Sequence, residues 1–426
     1  MKRRSSKIRH YLLSFTILLL SQVAISQNSI KRFKIPSTSD SITKIMEDEV
    51  TGRIIRIFTE FDKTHLTKYT YVKGAPSYQS GFILEDGKRI KLPLNEYVEC
   101  IRNNFIITSN YDKIEYKTVF TLCKIEVNNN NFELNLIDTL ISDGDCSMAV
   151  FLNNDRIMIQ EAQEGGVETH IQLYDIELDM IRQIKPFMNY NVSGSSQAVF
   201  ENTLYYSVEP DEQNEFGLPL PKIMMINIQT GEIIAEKIII NTEYALQLEI
   251  FNNIIIGSSN NRLEGYDLNL NVIWRIDNIK SSSTAFNRKD NLLIISTLNK
   301  VTAIYIKDGS IIWEKTIREF FANVKDIFCE DMDYKSRIFQ MKGFKDNDLI
   351  TVIGGGYLIN TKRMNNKPII CDTELFLIDK NGKINAHFPI DFNERKPLLI
   401  SKKKGNNQIT VSLTGESLYI TTNENN

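Results

Sequence analysis

Side chains able to do chemistry are sparse in this chain, and their spacing gathers no set of them. Beyond position 10 the histidines are His65, His170 and His387, none in a His-Glu-x-x-His or similar paired spacing that would hold a metal. The five cysteines, Cys100, Cys123, Cys146, Cys329 and Cys371, are far apart, with no adjacent pair and no Cys-x-x-Cys. An odd number leaves at least one thiol outside any disulfide, and most of them read as small buried apolar residues. Glu330, Asp331 and Asp333 cluster and could attract a cation, but solvated loop charge is the plainer reading. Gly354-Gly355-Gly356 follows an apolar run without a phosphate-loop lysine, so it reads as a bulge or a close backbone contact. There is no Gly-x-Ser-x-Gly elbow, no Walker loop and no EF-hand loop. The sequence therefore names no catalytic residue and no metal ligand.

What is orderly is the pattern that must carry those side chains. Gly265-Tyr266-Asp267-Leu268-Asn269-Leu270-Asn271-Val272-Ile273-Trp274 and Ile304-Tyr305-Ile306-Lys307-Asp308-Gly309-Ser310-Ile311-Ile312-Trp313 each read as strand, polar turn and strand. They align without a gap at an offset of 39 and hold the only two tryptophans. Gly231, Leu270 and Gly309 continue the same spacing, and Leu375–Asp379, Lys380-Asn381-Gly382 and Ile384–Phe388 repeat the form. A repeat of about 40 residues points to stacked units that bury their faces against neighbours. Residue usage agrees: Ile, Val, Thr, Tyr and Phe dominate the apolar runs, and Asn, Asp, Lys and Gly separate them. The class is all-β.

The units fall in sequence along the chain. The first has Ile54–Phe58, Gly81–Leu84 and Ile90–Leu94; the second Val98–Ile101, Phe105–Thr108, Val119–Val127 and Phe132–Ile137; the third Met148–Leu152 to Ile184. The fourth runs from Ser196 to Ile239, with prolines 210, 219 and 221 keeping its loop out of a central strand. The two tryptophan units follow. The next hairpin comes late, which places an insertion near residues 318–345, where Phe320, Phe321, Val324, Ile327 and Phe328 share a helical face. The last segment, Leu398–Ser401, Ile409–Leu413 and Leu418–Thr421, supplies only three strands, and Ile30–Ile35 is the candidate to complete it. Counted this way there are eight units, or seven if the first is not one.

Residues 1–26 read as a secretory signal: a basic start with Lys2, Arg3, Arg4, Lys7 and Arg9, an apolar core at Leu12–Leu20, and Ala24-Ile25-Ser26 before Gln27. The apolar stretch is short for a membrane span, and no later stretch approaches its length. Removal of the signal moves the net charge from −3 to about −8, which argues against phosphate-backbone binding. Residues 27–426 then form one domain, exported to the periplasm or the extracellular space, with no stable membrane span.

Tyr266-Asp267-x3-Asn271-x2-Trp274, Lys307-Asp308-Gly309-Ser310-x2-Trp313 and Ile378-Asp379-Lys380-Asn381-Gly382 resemble the repeat of the PQQ-like β-propellers. The resemblance covers roughly residues 80–390 and implies a β-propeller of four-stranded antiparallel blades. Tyr266, Asp267, Trp274, Gly309, Trp313, Asp379 and Gly382 would be repeat residues, with the tryptophans packed between blades. Ala235, Ala386 and Arg182 stand where other units would carry tryptophan.

Members that oxidise alcohols use an aspartate base, calcium ligands and often two adjacent cysteines, none of which this chain matches by motif. No cofactor is expected. In a propeller the first strand of each blade lines the channel, which makes Glu99, Gln197, Gln247 and Glu249 candidate channel-lining residues. The expected function is a non-catalytic binding or scaffolding module for a protein or other envelope ligand. The alternative is a PQQ-dependent oxidoreductase or another propeller enzyme.

Overall fold

A computed structural model describes residues 30–421, apart from the connecting segments 35–41, 62–77, 113–116, 143–147, 163–168, 188–196, 209–220, 240–245, 321–326, 344–349, 361–368, 390–398 and several shorter turns. The signal-like segment therefore lies outside the described residues. So do the proline-bearing loop of the fourth unit, His65, Glu330 and Asp331.

Among the described residues the strands form eight antiparallel sheets. Strand β1 (Ile30–Lys34) belongs to the last of them. The first sheet is β2 (Ile42–Glu47), β3 (Ile54–Phe61), β4 (Tyr78–Ile83) and β5 (Arg89–Leu94). The second is β6 (Glu96–Arg102), β7 (Phe105–Asp112), β8 (Lys117–Asn128) and β9 (Asn131–Ser142). The third is β10 (Met148–Phe151), β11 (Arg156–Ala162), β12 (Thr169–Asp175) and β13 (Met180–Phe187). The fourth is β14 (Gln197–Phe200), β15 (Thr203–Val208), β16 (Lys222–Asn227) and β17 (Ile233–Ile238).

The fifth is β18 (Gln247–Phe251), β19 (Ile254–Ser258), β20 (Arg262–Tyr266) and β21 (Val272–Asp277). The sixth is β22 (Ser283–Asn287), β23 (Leu292–Ser296), β24 (Lys300–Tyr305) and β25 (Ile311–Thr316). The seventh has five strands, β26 (Ile327–Phe328), β27 (Met332–Gly343), β28 (Ile350–Asn360), β29 (Ile369–Ile378) and β30 (Ile384–Pro389). The eighth joins β31 (Leu399–Lys403), β32 (Gln408–Leu413) and β33 (Glu416–Thr421) to β1, with Ile30 opposite Ile420.

The first seven sheets are antiparallel meanders in chain order, and the eighth adds β1 to the meander β31-β32-β33. First strands of adjacent sheets run beside one another: β2 by β6, β6 by β10, β14 by β18, and β2 by β31. The core is split into wedges between sheets. Ile55, Phe82, Val98 and Ile106 fill the first gap; Leu173, Leu204, Tyr206 and Met224 fill that between the third and fourth sheets. Leu263, Trp274, Leu293 and Ile304 fill that between the fifth and sixth. A single sheet could not bury both faces, so neighbours stabilise one another.

Among the described residues of 318–345, the helical reading holds for one turn, α1 (Ile317–Phe320). Ile327–Phe328 is strand and Met332–Gly343 is a long strand, so the extra length between the sixth and seventh hairpins goes into a fifth strand and longer strands. Side-chain alternation across a sheet, rather than a helical stripe, is what the apolar residues there serve. Gly355 falls at a register shift between β28 and β29, the bulge its neighbours suggest.

The last hairpin of each of these sheets shows what the repeat is. In the third to seventh sheets the last strand bulges just after the turn, leaving Ile181, Ile234, Ile273, Ile312 and Asn385 unpaired. The next residue then stands opposite the preceding strand: Arg182 opposite Leu173, Ala235 opposite Met225, Trp274 opposite Gly265, Trp313 opposite Ala303 and Ala386 opposite Leu377. Turns come in two lengths. Asp175–Asp179, Asp267–Asn271 and Asp379–Lys383 close over five residues, the leading Asp side chain accepting from two turn N–H groups each time. Asn227–Glu232 and Tyr305–Ser310 close over six.

The gap-free alignment at 39 therefore fails by one residue on the third strands. Tyr266 corresponds to Ile304, not Tyr305, because the longer turn absorbs one residue. Asp308 is accordingly not the counterpart of Asp267. It accepts from the Ser310 N–H and hydroxyl inside its own turn.

Every one of these turns ends in a left-handed residue: Leu178, Gly231, Leu270, Gly309 and Gly382, with φ between 64° and 74°. The facing residue of one sheet packs on the left-handed residue of the next. Trp274 lies on Gly309 and donates from Nε1 to the Ile306 carbonyl at 2.6 Å; Trp313 lies on Gly382 and donates to the Lys380 carbonyl at 2.6 Å. The Arg182 stem lies on Gly231 in the same way. Where the facing residue is Ala235, the left-handed residue of the next sheet is Leu270, itself buried among the side chains between the two sheets. A β-carbon on Gly309 would come within 2.9 Å of the Trp274 ring, which its hydrogen bond holds in place. Gly309→Ala should therefore destabilise by about 2–3 kcal/mol, the steric displacement adding to the left-handed strain of roughly 1–2 kcal/mol. Urea midpoints of the two proteins check it; a midpoint unchanged in the variant would show that the ring moves freely.

Candidate functional site

The four residues expected on channel strands lie on first strands. Glu99 is on β6, Gln197 on β14, and Gln247 and Glu249 on β18. Glu99 is the extra residue of a bulge between Val98 and Cys100; it is half-buried and accepts from the Ser109 hydroxyl at 2.6 Å. Gln197 is half-buried and paired with Tyr206 across the sheet. Gln247 and Glu249 are exposed on one face of β18, with Leu248 buried on the other, as strand alternation requires. Because β14 lies beside β18, Gln197, Gln247 and Glu249 share one sector, whereas Glu99 stands three sheets away from Gln247.

Three polar groupings, two buried and one along a rim, lie outside the channel-lining residues singled out by the sequence pattern. In the first, Glu161 accepts from the Ser142 hydroxyl at 3.0 Å and from Gln172 Nε2 at 2.9 Å, and Tyr174 donates to Gln172 Oε1 at 2.7 Å. On the opposite face of β11, Tyr206 of the fourth sheet donates to Gln160 Oε1 at 2.7 Å, so adjacent residues tie this strand to the second sheet through Glu161 and to the fourth through Gln160. Burial, with the Glu161 charge, pushes the Tyr174 phenol up to about 12, and burial raises that of Tyr206 further. Both act as hydrogen-bond donors throughout the neutral range. The signal for this network was Gln160-Glu161 closing the apolar run Ile157-Met158-Ile159.

The second lies in the fifth sheet. Glu264, fully buried, accepts from the Tyr266 hydroxyl and from Arg275 Nε, with Arg262 at 3.8 Å and Arg262 also paired to Asp277 at 3.2 Å. Arg262, Glu264 and Tyr266 alternate along β20, so all three face the fourth sheet.

The third is a belt on the rim of short turns. Asp48 accepts from Asn103 N–H at 2.8 Å and Asn104 N–H at 2.7 Å in the next sheet, as well as from Val50 in its own turn. Arg53 reaches Asn104, Arg102 reaches Asn154, Arg156 reaches Gln229, and Asn252 reaches Asn291. Asn103-Asn104 and Asn252-Asn253 both have positive φ, the two-residue turn that suits a tight hairpin. That Asn-Asn signal was legible in the sequence and is as regular as the tryptophan hairpin.

Burial would raise the Asp48 carboxyl, but the hydrogen bonds from Asn104, Thr51, Asn103 and Val50 outweigh it and hold it below the usual carboxylate range. A depressed folded pKa stabilises the fold above the unfolded value of about 3.9 and loses that contribution as pH falls through the folded value. Asp48→Asn should thus cost about 1–3 kcal/mol at pH 6, with the gap to the native protein closing below about pH 4. Urea melts across that range test it, and a gap independent of pH would contradict the assignment.

Cys123 is a buried thiol pushed up to about 11 by burial and by the Glu96 charge, which leaves it unreactive at neutral pH. Among the described residues no group of three or more His, Cys, Asp or Glu could hold a metal ion, and no helix is long and apolar enough to cross a membrane.

No protein-family model and no curated protein matches the chain. Among solved structures it is similar to BamB from Moraxella catarrhalis, at 10% identity over 92% of this chain and 100% of that one, with a TM-score of 0.48. It is also similar to Kluyvelomyces marxianus Hsv2, at 10% identity over 73% and 86% of the two chains, with a TM-score of 0.42. The strand pairing above establishes, independently, an all-β fold of propeller-like sheets.

Proposed function

We propose that this chain is an exported, non-catalytic β-propeller that binds or scaffolds a protein or other envelope ligand. Residues 27–426 form a single ring of eight blades after loss of the signal, with β1 completing the last blade. The approach of β2 to β31 and the pairing of β1 with β33 support that ring. Glu99, Gln197, Gln247 and Glu249 line its channel. The periplasm or the extracellular space is its setting.

One observation carries the non-catalytic reading. Among the described residues the buried acids engage structural partners inside and between sheets: Asp48 the turn N–H groups, Glu96 the Thr108 hydroxyl, Glu161 Ser142 and Gln172, and Glu264 Tyr266 and Arg275. A general acid or base needs a side chain directed at substrate, and these are spent on holding the ring together.

Mild crosslinking of the exported protein in its native host, followed by purification, should recover one stoichiometric partner. Recovery of the protein alone across growth conditions would count decisively against the reading. Dye-linked alcohol oxidation after addition of PQQ and calcium would overturn the non-catalytic part.

A further inference from the structure

The outer strands of the third to sixth sheets present apolar side chains to solvent at one repeated place. Met180, Ile233, Ile234, Val272, Ile273, Ile311 and Ile312 are each between 42% and 56% exposed. Strand alternation should bury every second residue, but the bulge after each turn makes two consecutive residues face outward. These pairs are not isolated. Arg182, two residues after Met180, packs on Gly231, two before Ile233. Lys237 donates to the Leu270 carbonyl, two before Val272, and Trp274 packs on Gly309, two before Ile311. The contacts between sheets thus join the pairs into one band along the turn-side rim.

Resting on the binding role proposed above, we infer that this band is the docking surface for an extended, uncharged, apolar segment of a partner polypeptide. Four considerations select that occupant. The outer edges of β17, β21 and β25 carry no paired strand among the described residues, so the backbone of an extended segment crossing them would meet hydrogen-bonding groups beside apolar side chains. The charges flanking the pairs alternate in sign, Glu236 with Lys237, Arg275 with Asp277 and Glu314 with Lys315, and so select no charged ligand.

Successive outer edges around a ring of seven or eight sheets diverge by roughly 45–50°, so the band is convex and a flat bilayer would meet little of it. Two convex copies would likewise meet over only part of the band, short of the roughly 800 Å² per partner of a stable dimer. A flexible extended segment can follow the curve.

The test uses the purified mature protein and a monomeric decapeptide of alternating valine and threonine. The native protein should bind it, and I234K/I273K/I312K should bind at least tenfold more weakly with an unchanged thermal melt. Should the triple variant fail to fold, the single variant Ile273→Lys should still weaken binding severalfold. Failure of the native protein to bind the peptide, or equal binding by the variants, overturns the inference. So does binding to phosphatidylcholine–phosphatidylglycerol vesicles instead, or a sedimenting dimer that the triple variant dissolves. If the partner crosslinked in the native host is still captured by the triple variant, the band is not its dock and the binding reading stands. If no partner is captured by the native protein, the binding reading itself fails.

Discussion

Trp274→Ala is expected to lower the unfolding free energy by about 3–5 kcal/mol, as truncation of a large buried aromatic does. Trp274 is 7% exposed, and its ring covers Gly265 of its own sheet and Gly309 of the next. Removal loses that contact on both sides and leaves the Ile306 carbonyl without its 2.6 Å donor. Trp313 has the same role but is only half-buried, so Trp313→Ala should cost less. A double variant sharpens the test. In the Trp274→Ala background, Gly309→Ala should lose the steric part of its penalty and keep only the left-handed strain. Additive losses, measured by urea titration, would mean that the ring and the glycine are not coupled.

Glu264→Ala should be comparably damaging, at about 3 kcal/mol. Glu264 is fully buried and is the common acceptor for Tyr266 and Arg275, with Arg262 close by. Removing one partner of a buried pair leaves the other charge without compensation, typically worth 3–5 kcal/mol. Arg275 is partly exposed and can regain water, which places the expectation at the lower end. Glu264→Gln keeps the shape and one acceptor and should cost less than Ala. An alanine variant as stable as the native protein would show that water already satisfies the arginines. A glutamine variant worse than alanine would show that the amide nitrogen clashes with Arg275.

The repeat was legible because the tryptophans and the left-handed residues keep a spacing of 39 on the outer strands. The stagger behind it was not. A six-residue turn beside a five-residue one shifts the third strand by a single position, and an alignment anchored on Trp274 and Trp313 absorbs the difference silently. The first sheet was legible from three runs; its first strand, Ile42–Glu47, carries too few apolar residues to announce itself. Phe320, Phe321, Val324, Ile327 and Phe328 fit a helical face, yet tertiary pairing takes Ile327–Phe328 into a strand, since a sheet edge nearby satisfies the backbone there. The buried polar networks were hidden for another reason. Glu161 and Glu264 sit in short strands where alternation alone suggests solvent, and only a neighbouring sheet turns that side inward. The exposed isoleucine pairs were equally hidden, because a bulge, not a sequence period, decides which way they face.

The pairing of Ile30 with Ile420 has a consequence for how the molecule is made. The eighth sheet joins β1 to strands that lie nearly 400 residues further along the chain, so a nascent chain lacks it until β33 has been made. Closing a free coil of that length would cost roughly 5 kcal/mol of chain entropy, growing only with the logarithm of length. Stacked neighbours remove most of that cost by delivering the two ends to each other. The seam should therefore be the last part to form and the first to open, and hydrogen exchange should find β1 and β33 less protected than the β20–β21 hairpin.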